Sequence, residues 1–221
     1  MTFRPPTPTA LQLAGGAGAV EALLEEPAAA GQTAAFGIVC HPHPLFGGSM
    51  TNKVVHTLAR GWQELGVPTL RFNFRGVGAS AGSYDEGRGE TTDAVQLIDW
   101  GRQRWPGATP WIAGFSFGSF VALRAAQSAA PGLLVTVAPP VGRWDFTGLV
   151  APAAPWLIVQ GDRDELVDVE AVRGFVRSFA PRPPSLEVMT GAEHFFHGRL
   201  HELRDLVRRF SEPVLRPAGS S

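Results

Sequence analysis

Apolar residues along this chain gather in short runs that alternate with stretches of helical spacing. Leu11–Leu13 and Val20–Leu24 flank Gly15, Gly16 and Gly18, a pattern that predicts a hairpin. Phe36–Cys40 follows as a short apolar strand, and Asn52–Leu65 then carries Val54, Val55, Leu58, Trp62 and Leu65 near a 3.6-residue period. Gly66-Val-Pro marks its stop. Strands are predicted over Thr69–Phe74, Trp111–Phe115, Leu133–Ala138, Trp156–Gln160 and Leu186–Met189. Helices are predicted over Thr92–Arg104, Ser119–Gln127, Val169–Phe179 and Leu200–Phe210. Repeated strand–helix alternation predicts an α/β fold, a mostly parallel sheet with helices on both faces. Loops after the strands' C-terminal ends then share one edge, where sites form. Residues 1–221 read as one domain, with residues 1–9 and 213–221 expected to be loose because both are rich in Pro and small polar residues.

Composition narrows the function classes. The chain has 221 residues, 44% of them hydrophobic, enough for a sizeable core. A formal charge of -1 argues against nucleic acid as the main partner, because phosphate binding needs a surplus of Lys and Arg. Lys53 is the only lysine. One cysteine, Cys40, rules out an intrachain disulfide. No apolar run reaches the roughly 18 residues of a membrane span. A soluble cytoplasmic protein acting on a small molecule is the expectation.

Chemistry concentrates first at Gly114-Phe-Ser-Phe-Gly118, a G-x-S-x-G pattern between the run Trp111-Ile-Ala and the helical run Phe120-Val-Ala-Leu. A serine at a sharp strand-to-helix turn sits in a strained backbone, with its hydroxyl clear of the sheet. Glycines on either side let neighbouring backbone come close. Ser116 is therefore the candidate nucleophile, and the N–H of Phe117 faces a developing oxyanion.

Downstream, the strand Trp156–Gln160 runs into Gly161-Asp-Arg-Asp-Glu-Leu-Val-Asp168, where Asp162, Asp164, Glu165 and Asp168 compete to be the acid that orients an imidazole. Asp164 is preferred, because the turn after Gly161 places it on the loop; Asp162 is expected to tie down the turn. The preferred base is His194, between the last strand and the last helix. His197 is its rival, and His56 and His201 read as helix-surface residues.

The segment His41-Pro-His-Pro-Leu-Phe-Gly-Gly48 follows the first central strand and is the expected source of a second oxyanion amide. Pro42 and Pro44 have no N–H, which leaves His43, Leu45 and Phe46. Leu45 is preferred narrowly, with His43 next. Two other readings compete here. His41-x-His43 can share a metal ion, although no acidic or cysteine partner lies nearby in sequence; otherwise His41 orients the loop by hydrogen bonding. Cys40, at the end of an apolar strand, reads as buried and inert.

With those residues in place, the chain resembles the small, lidless bacterial α/β-hydrolases, carboxylesterase-like serine hydrolases more loosely related to dienelactone hydrolases. The resemblance runs from about Cys40 to Phe210. It rests on His41-Pro-His-Pro-Leu-Phe-Gly-Gly, Arg71-Phe-Asn-Phe-Arg-Gly-Val-Gly-Ala-Ser, Gly114-Phe-Ser-Phe-Gly, Gly161-Asp-Arg-Asp and His194-Phe-Phe. It implies an α/β-hydrolase fold, a Ser116–Asp164–His194 triad in that chain order, and no cofactor or metal. Many relatives carry His-Gly where this chain has His41-Pro42. The 17 residues from 139 to 155 are too few for an inserted cap domain. The open site that results favours short-chain esters, cleaved through an acyl-enzyme, with Phe46, Trp144 and Phe195, and also Phe117, Phe146 and Phe196, as candidate pocket walls. Thioesters, lactones and peptides suit the same triad. A metal-dependent hydrolase and a catalytically silent binding module are the alternatives from other classes.

Overall fold

The computed structural model describes residues 3–27 and 33–215. Two strands, β1 (Thr9–Gly15) and β2 (Gly18–Glu25), form the expected hairpin. They are followed by β3 (Ala35–Cys40), α1 (Lys53–Gln63), β4 (Thr69–Phe72), α2 (Arg88–Arg104), β5 (Thr109–Phe115), α3 (Phe117–Ala129) and β6 (Leu133–Val137). The chain continues with β7 (Trp156–Gly161), α4 (Val169–Arg177), β8 (Ser185–Met189) and α5 (Leu200–Leu215). The sheet order is β1-β2-β4-β3-β5-β6-β7-β8, parallel from β4 to β8 and antiparallel only at the β1 and β2 edge. The expected mostly parallel α/β sheet is therefore present.

Strand residues alternate between two cores, as the two-residue period of a strand requires. Ile38, Ile112, Leu134 and Ile158 pack with Leu97 of α2, Val121 of α3 and Val172 of α4. Val39, Ala113, Val135 and Val159 pack on the other face with Leu58 and Trp62 of α1 and Leu203 and Val207 of α5. Helices thus cover both faces. The chain winds from β3 to β4 in one direction and from β5 onward in the other, so the topological switch lies between β3 and β5. A crevice opens at the carboxyl ends of strands at such a point.

Some boundaries differ from the pattern reading. Helix α2 begins at Arg88, four residues before Thr92, because the buried Glu90 side chain accepts from the N–H groups of Asp85 and Gly87 (both 2.8 Å) and starts the helix from a glycine. Helix α3 begins at Phe117, directly after Ser116 and two residues ahead of Ser119. Strand β4 stops at Phe72, because the Asn73 side chain turns to Glu21 and to the N–H of Met50. Helix α5 continues through Pro213 to Leu215. Of the terminal segments expected to be loose, Thr9 opens β1 and residues 213–215 close α5; residues 1, 2 and 216–221 lie outside the described residues.

Three contacts bring the future site together. A Cβ on Gly118 would lie 2.3 Å from the Cys40 carbonyl oxygen and 2.5 Å from that of His41; one on Gly114 would lie 2.0 Å from the Gly118 oxygen. The start of α3 therefore rests directly on the exit of β3. The exit of β3 is in turn tied to that of β4 by His41, whose Nδ1–H donates to the Pro42 oxygen (2.6 Å) while its Nε2 accepts from the N–H of Phe74 (2.9 Å). Burial lowers the His41 pKa to about 3, outweighing the Pro42 hydrogen bond that favours the cation; the nearby His43 lowers it slightly further.

Two predictions follow from these contacts. Gly118→Ala and Gly114→Ala should each lose about 1–3 kcal/mol of stability in chemical denaturation, together with most turnover, because backbone atoms have to shift at the serine itself. His41 is neutral when folded, whereas in the unfolded chain it titrates near 6.5. Below that pH the unfolded state binds a proton that the folded state refuses. Stability should be full above pH 6.5 and fall as the pH drops from about 6.5 toward 3. Denaturation between pH 7.5 and 4.5 should show a shallower pH slope in His41→Gln than in wild type.

Candidate active site

Ser116 stands at the turn between β5 and α3 with φ 53° and ψ -121°, a left-handed conformation unusual for a residue with a side chain. Its N–H donates to the Val137 oxygen at 2.8 Å, which holds the turn against β6. The strain is tolerated because the glycine contacts described above leave the turn no other path. The hydroxyl points away from the sheet toward His194, with Nε2 to Oγ at 3.2 Å.

His194 lies on the loop after β8, with its side chain 2% exposed. Its Nδ1–H donates to Asp164 Oδ2 at 2.8 Å, which leaves Nε2 as the acceptor that faces Ser116. Asp164 is fixed from below. Oδ1 accepts from the N–H groups of Leu166 and Val167 (both 2.8 Å), and Oδ2 also accepts from Gln160 Nε2 (3.0 Å). Burial pushes the Asp164 carboxyl up, but the hydrogen bond and charge of His194 and the two loop amides outweigh it. The carboxyl is held below the ordinary carboxylate range and stays ionised. An imidazole in this tautomer can take a proton from the serine, and the carboxylate can stabilise the imidazolium formed.

The competing acids have other work. Asp162 accepts from the N–H of Gly191 (2.6 Å), tying the β7 loop to the loop after β8 instead of fastening its own turn. Glu165 accepts from the N–H of His194 (3.3 Å), and Asp168 caps α4 through the N–H groups of Glu170 and Ala171. His197 is exposed and paired with Glu193 (2.6 Å); His56 and His201 are exposed on helices.

At the opposite wall, the loop after β3 contains a 3-10 turn over Pro44–Phe46. Here the preference for Leu45 as the second oxyanion amide needs correction. The Leu45 N–H donates to His43 Nδ1 (3.2 Å), and its side chain is 69% exposed, outside the cleft. Phe46 and Gly48 donate to the His43 oxygen and Gly47 to the Pro44 oxygen. With Pro42 and Pro44 lacking N–H, the amide of His43 is the one in residues 42–48 without an acceptor among the described residues. Phe117 is the first residue of α3, so its N–H has no acceptor within the helix. The His43 ring packs among Phe46, Tyr84, Phe117 and Trp144, with centroids 4.8–5.4 Å away, and burial lowers its pKa.

The His41-x-His43 metal alternative does not fit this geometry, because both His41 ring nitrogens are already bonded within the protein. Among the described residues no group of three or more His, Cys, Asp and Glu side chains is placed to hold a metal ion. Cys40 is fully buried in the α2 and α3 core, and burial drives its thiol pKa up.

A cleft of about 210 Å³ opens over Ser116 and His194. Phe46, Trp144 and Phe195 line it as expected; Phe117, Phe146 and Phe196 do not. Phe117 and Phe196 are fully buried, and Phe146 packs between Phe120 and Phe175 (5.1 and 5.0 Å). Sequence reasoning missed Asn52, Pro140, Arg143, Leu166 and Val167 as cleft residues, and Gln160 as the support of Asp164. Asn52 had a visible signal, since a helix-capping asparagine directly after the His41–Gly48 loop has to sit beside whatever that loop forms.

Comparison with known proteins agrees with the geometry. A family model described as X-Pro dipeptidyl-peptidase (S15 family) matches residues 26–152, a span that holds Ser116 but neither Asp164 nor His194. An uncharacterised protein of Rickettsia prowazekii is 34% identical over 186 residues, 80% of this chain and 78% of that protein. A crystal structure from Xanthomonas campestris, described as an α/β serine hydrolase without lid, is 42% identical, covers all of both chains and superposes with a TM-score of 0.90. An α/β serine hydrolase homologue from Coxiella burnetii is 45% identical over 95% of this chain and 99% of that one, with a TM-score of 0.85. The chain belongs to the lidless α/β serine hydrolases and to the family described as X-Pro dipeptidyl-peptidase (S15 family).

Proposed function

We propose that this hydrolase is a carboxylesterase acting on small or short-chain esters through an acyl-enzyme. The observation that carries the reading is the hydrogen-bonded line from Ser116 through His194 to Asp164, 3.2 and 2.8 Å long, on the floor of an open cleft. His194 Nε2 takes the Ser116 proton as Oγ attacks the ester carbonyl, and Asp164 holds the resulting imidazolium. The N–H groups of Phe117 and His43 face the tetrahedral oxyanion. Collapse expels the alcohol, which takes the proton from His194. Water then attacks the acyl-serine carbonyl, giving its proton to the same nitrogen, and the acid leaves with Ser116 reprotonated. No step needs a cofactor.

The S15 family description raises a peptide substrate as the second reading. A dipeptidyl peptidase must hold a free ammonium, and the cleft lining contains no Asp or Glu to do so. Its walls are mainly apolar, with Phe46, Trp144, Leu166 and Phe195 around the serine. That favours an ester over a peptide N-terminus, and the small volume favours short acyl groups. We place the enzyme in the cytoplasm, acting on a small molecule without nucleic acid or membrane. The buried, unpaired Cys40 suits a reducing compartment, and no helix among the described residues is long and apolar enough to cross a membrane.

A fluorophosphonate should label Ser116, located by mass mapping, and Ser116→Ala should abolish both labelling and ester turnover. Asp164→Asn should retain the fold and lose about 10⁴-fold in kcat, through the wrong imidazole tautomer. Wild-type turnover surviving Ser116→Ala would overturn the assignment. In a panel of p-nitrophenyl esters, acetate and butyrate should give kcat/KM at least tenfold above laurate. An X-Pro dipeptide p-nitroanilide cleaved faster than any ester would establish the peptidase reading instead.

A further inference from the structure

The cleft walls are asymmetric in hydrogen-bonding character. The polar side chains that line it are His43, Asn52, Ser116, Arg143 and His194, and no carboxylate is among them. Ser116 and His194 face each other, and His43 Nδ1 is occupied by the Leu45 amide. With Nδ1 accepting, the neutral His43 ring carries its hydrogen on Nε2, and Asn52 and Arg143 are the two further donors. Asn52 Oδ1 accepts from the N–H groups of Val54 (2.8 Å) and Val55 (3.4 Å), capping α1. Those two bonds fix the amide plane and leave Nδ2, a donor with two hydrogens, without an acceptor among the described residues. The guanidinium of Arg143, on the connector between β6 and β7, has no ion-pair partner among them either. A half-buried donor anchored in one orientation loses little conformational freedom when it meets an acceptor, and a guanidinium adds charge and geometry suited to a carboxylate.

Resting on the esterase reading above, we propose that the substrate carries a carboxylate beyond the scissile ester, held between Asn52 Nδ2 and the Arg143 guanidinium. The favoured substrate class is then the half-ester of a short dicarboxylic acid, in place of a plain alkyl ester. Asn52 caps the start of α1 and Arg143 lies on the connector between β6 and β7, so the two stand on different segments lining the same cleft. The cleft of about 210 Å³ has room for a short acyl chain with one such group.

Three ethyl esters of near-equal length separate charge from shape: monoethyl succinate, ethyl 4-oxopentanoate and ethyl pentanoate, assayed by ethanol release. Wild-type enzyme should give kcat/KM for monoethyl succinate at least tenfold above ethyl pentanoate, with the neutral keto ester between them. Asn52→Asp keeps both capping acceptors and replaces the donor by a repelling oxygen. Its Tm should be unchanged or slightly raised, and its preference for monoethyl succinate over ethyl pentanoate should vanish. Arg143→Gln should lower the ratio of the monoethyl succinate rate to the ethyl pentanoate rate about tenfold. A wild-type enzyme that cleaves ethyl pentanoate as fast as or faster than monoethyl succinate overturns the proposal, as does an Asn52→Asp variant that keeps the preference. Either result leaves the esterase reading standing, since that reading fails only if Ser116 is unlabelled or no ester is turned over.

Discussion

The contact between the start of α3 and the end of β3 constrains everything else in the site. With Gly118 set against the Cys40 and His41 carbonyl oxygens, the helix enters at the one position where Ser116 can only adopt positive φ. The same contact sets the Phe117 amide at the end of α3 that abuts the His41–Gly48 loop. The proposed nucleophile and oxyanion amides are therefore positioned by one piece of packing between neighbouring strands at the switch point, not by separate loops. A side chain at either glycine would move all of them together.

The acid and base stand on two different loops, and polar bonds join those loops before any catalytic bond is counted. The Asp162 carboxylate accepts from Gly191, the Arg163 N–H donates to the Ala192 oxygen, and Glu165 accepts from the His194 amide. Beneath them Gln160 is fully buried, and the two hydrogens of its amide nitrogen are shared among the oxygens of Asp164 (3.0 Å), Val167 (3.1 Å) and Gly161 (3.3 Å). The acid-rich run after β7 thus has Asp164 on the imidazole, Asp162 and Glu165 fastening the loop that carries it, and Asp168 capping α4. That division explains why four acidic residues cluster there without forming a metal site.

What was legible in the chain and what was not divides along physical lines. Ser116 and Asp164 could be proposed because each follows a buried strand, β5 or β7, whose apolar run is plain in the sequence, and His194 because it lies between the edge strand β8 and the last helix. The start of α2 is hidden because Gly87, at the capping position, has no side-chain oxygen, and the signal is displaced three residues to the Glu90 carboxylate. Phe117, Phe146 and Phe196 resemble Phe46 and Phe195 in composition and neighbourhood, yet Phe117 and Phe196 are core and the half-buried Phe146 packs against it. Only the side of the backbone each occupies decides this, and a loop has no period from which to read it. Asn52 and Arg143 escaped notice because their place in the cleft depends on segments that meet only in the folded chain.

His41 and His43 show how far identical local sequence can diverge. Each precedes a proline, and each was open to a metal or positioning role. The Pro42 carbonyl turns back to accept from His41 Nδ1, which sends Nε2 to Phe74 and closes that ring off from chemistry. At His43 the same step fails, because Pro44 opens a 3-10 turn and the ring accepts from Leu45 instead. That turn consumes the amides of residues 45–48 and leaves the His43 N–H without an acceptor among the described residues. Replacing the glycine found in many relatives by Pro42 therefore does not remove the donor from this loop. It narrows the choice to the single residue between two prolines, whose ring packs among Phe46, Tyr84, Phe117 and Trp144 and so fixes where the loop stands over Ser116.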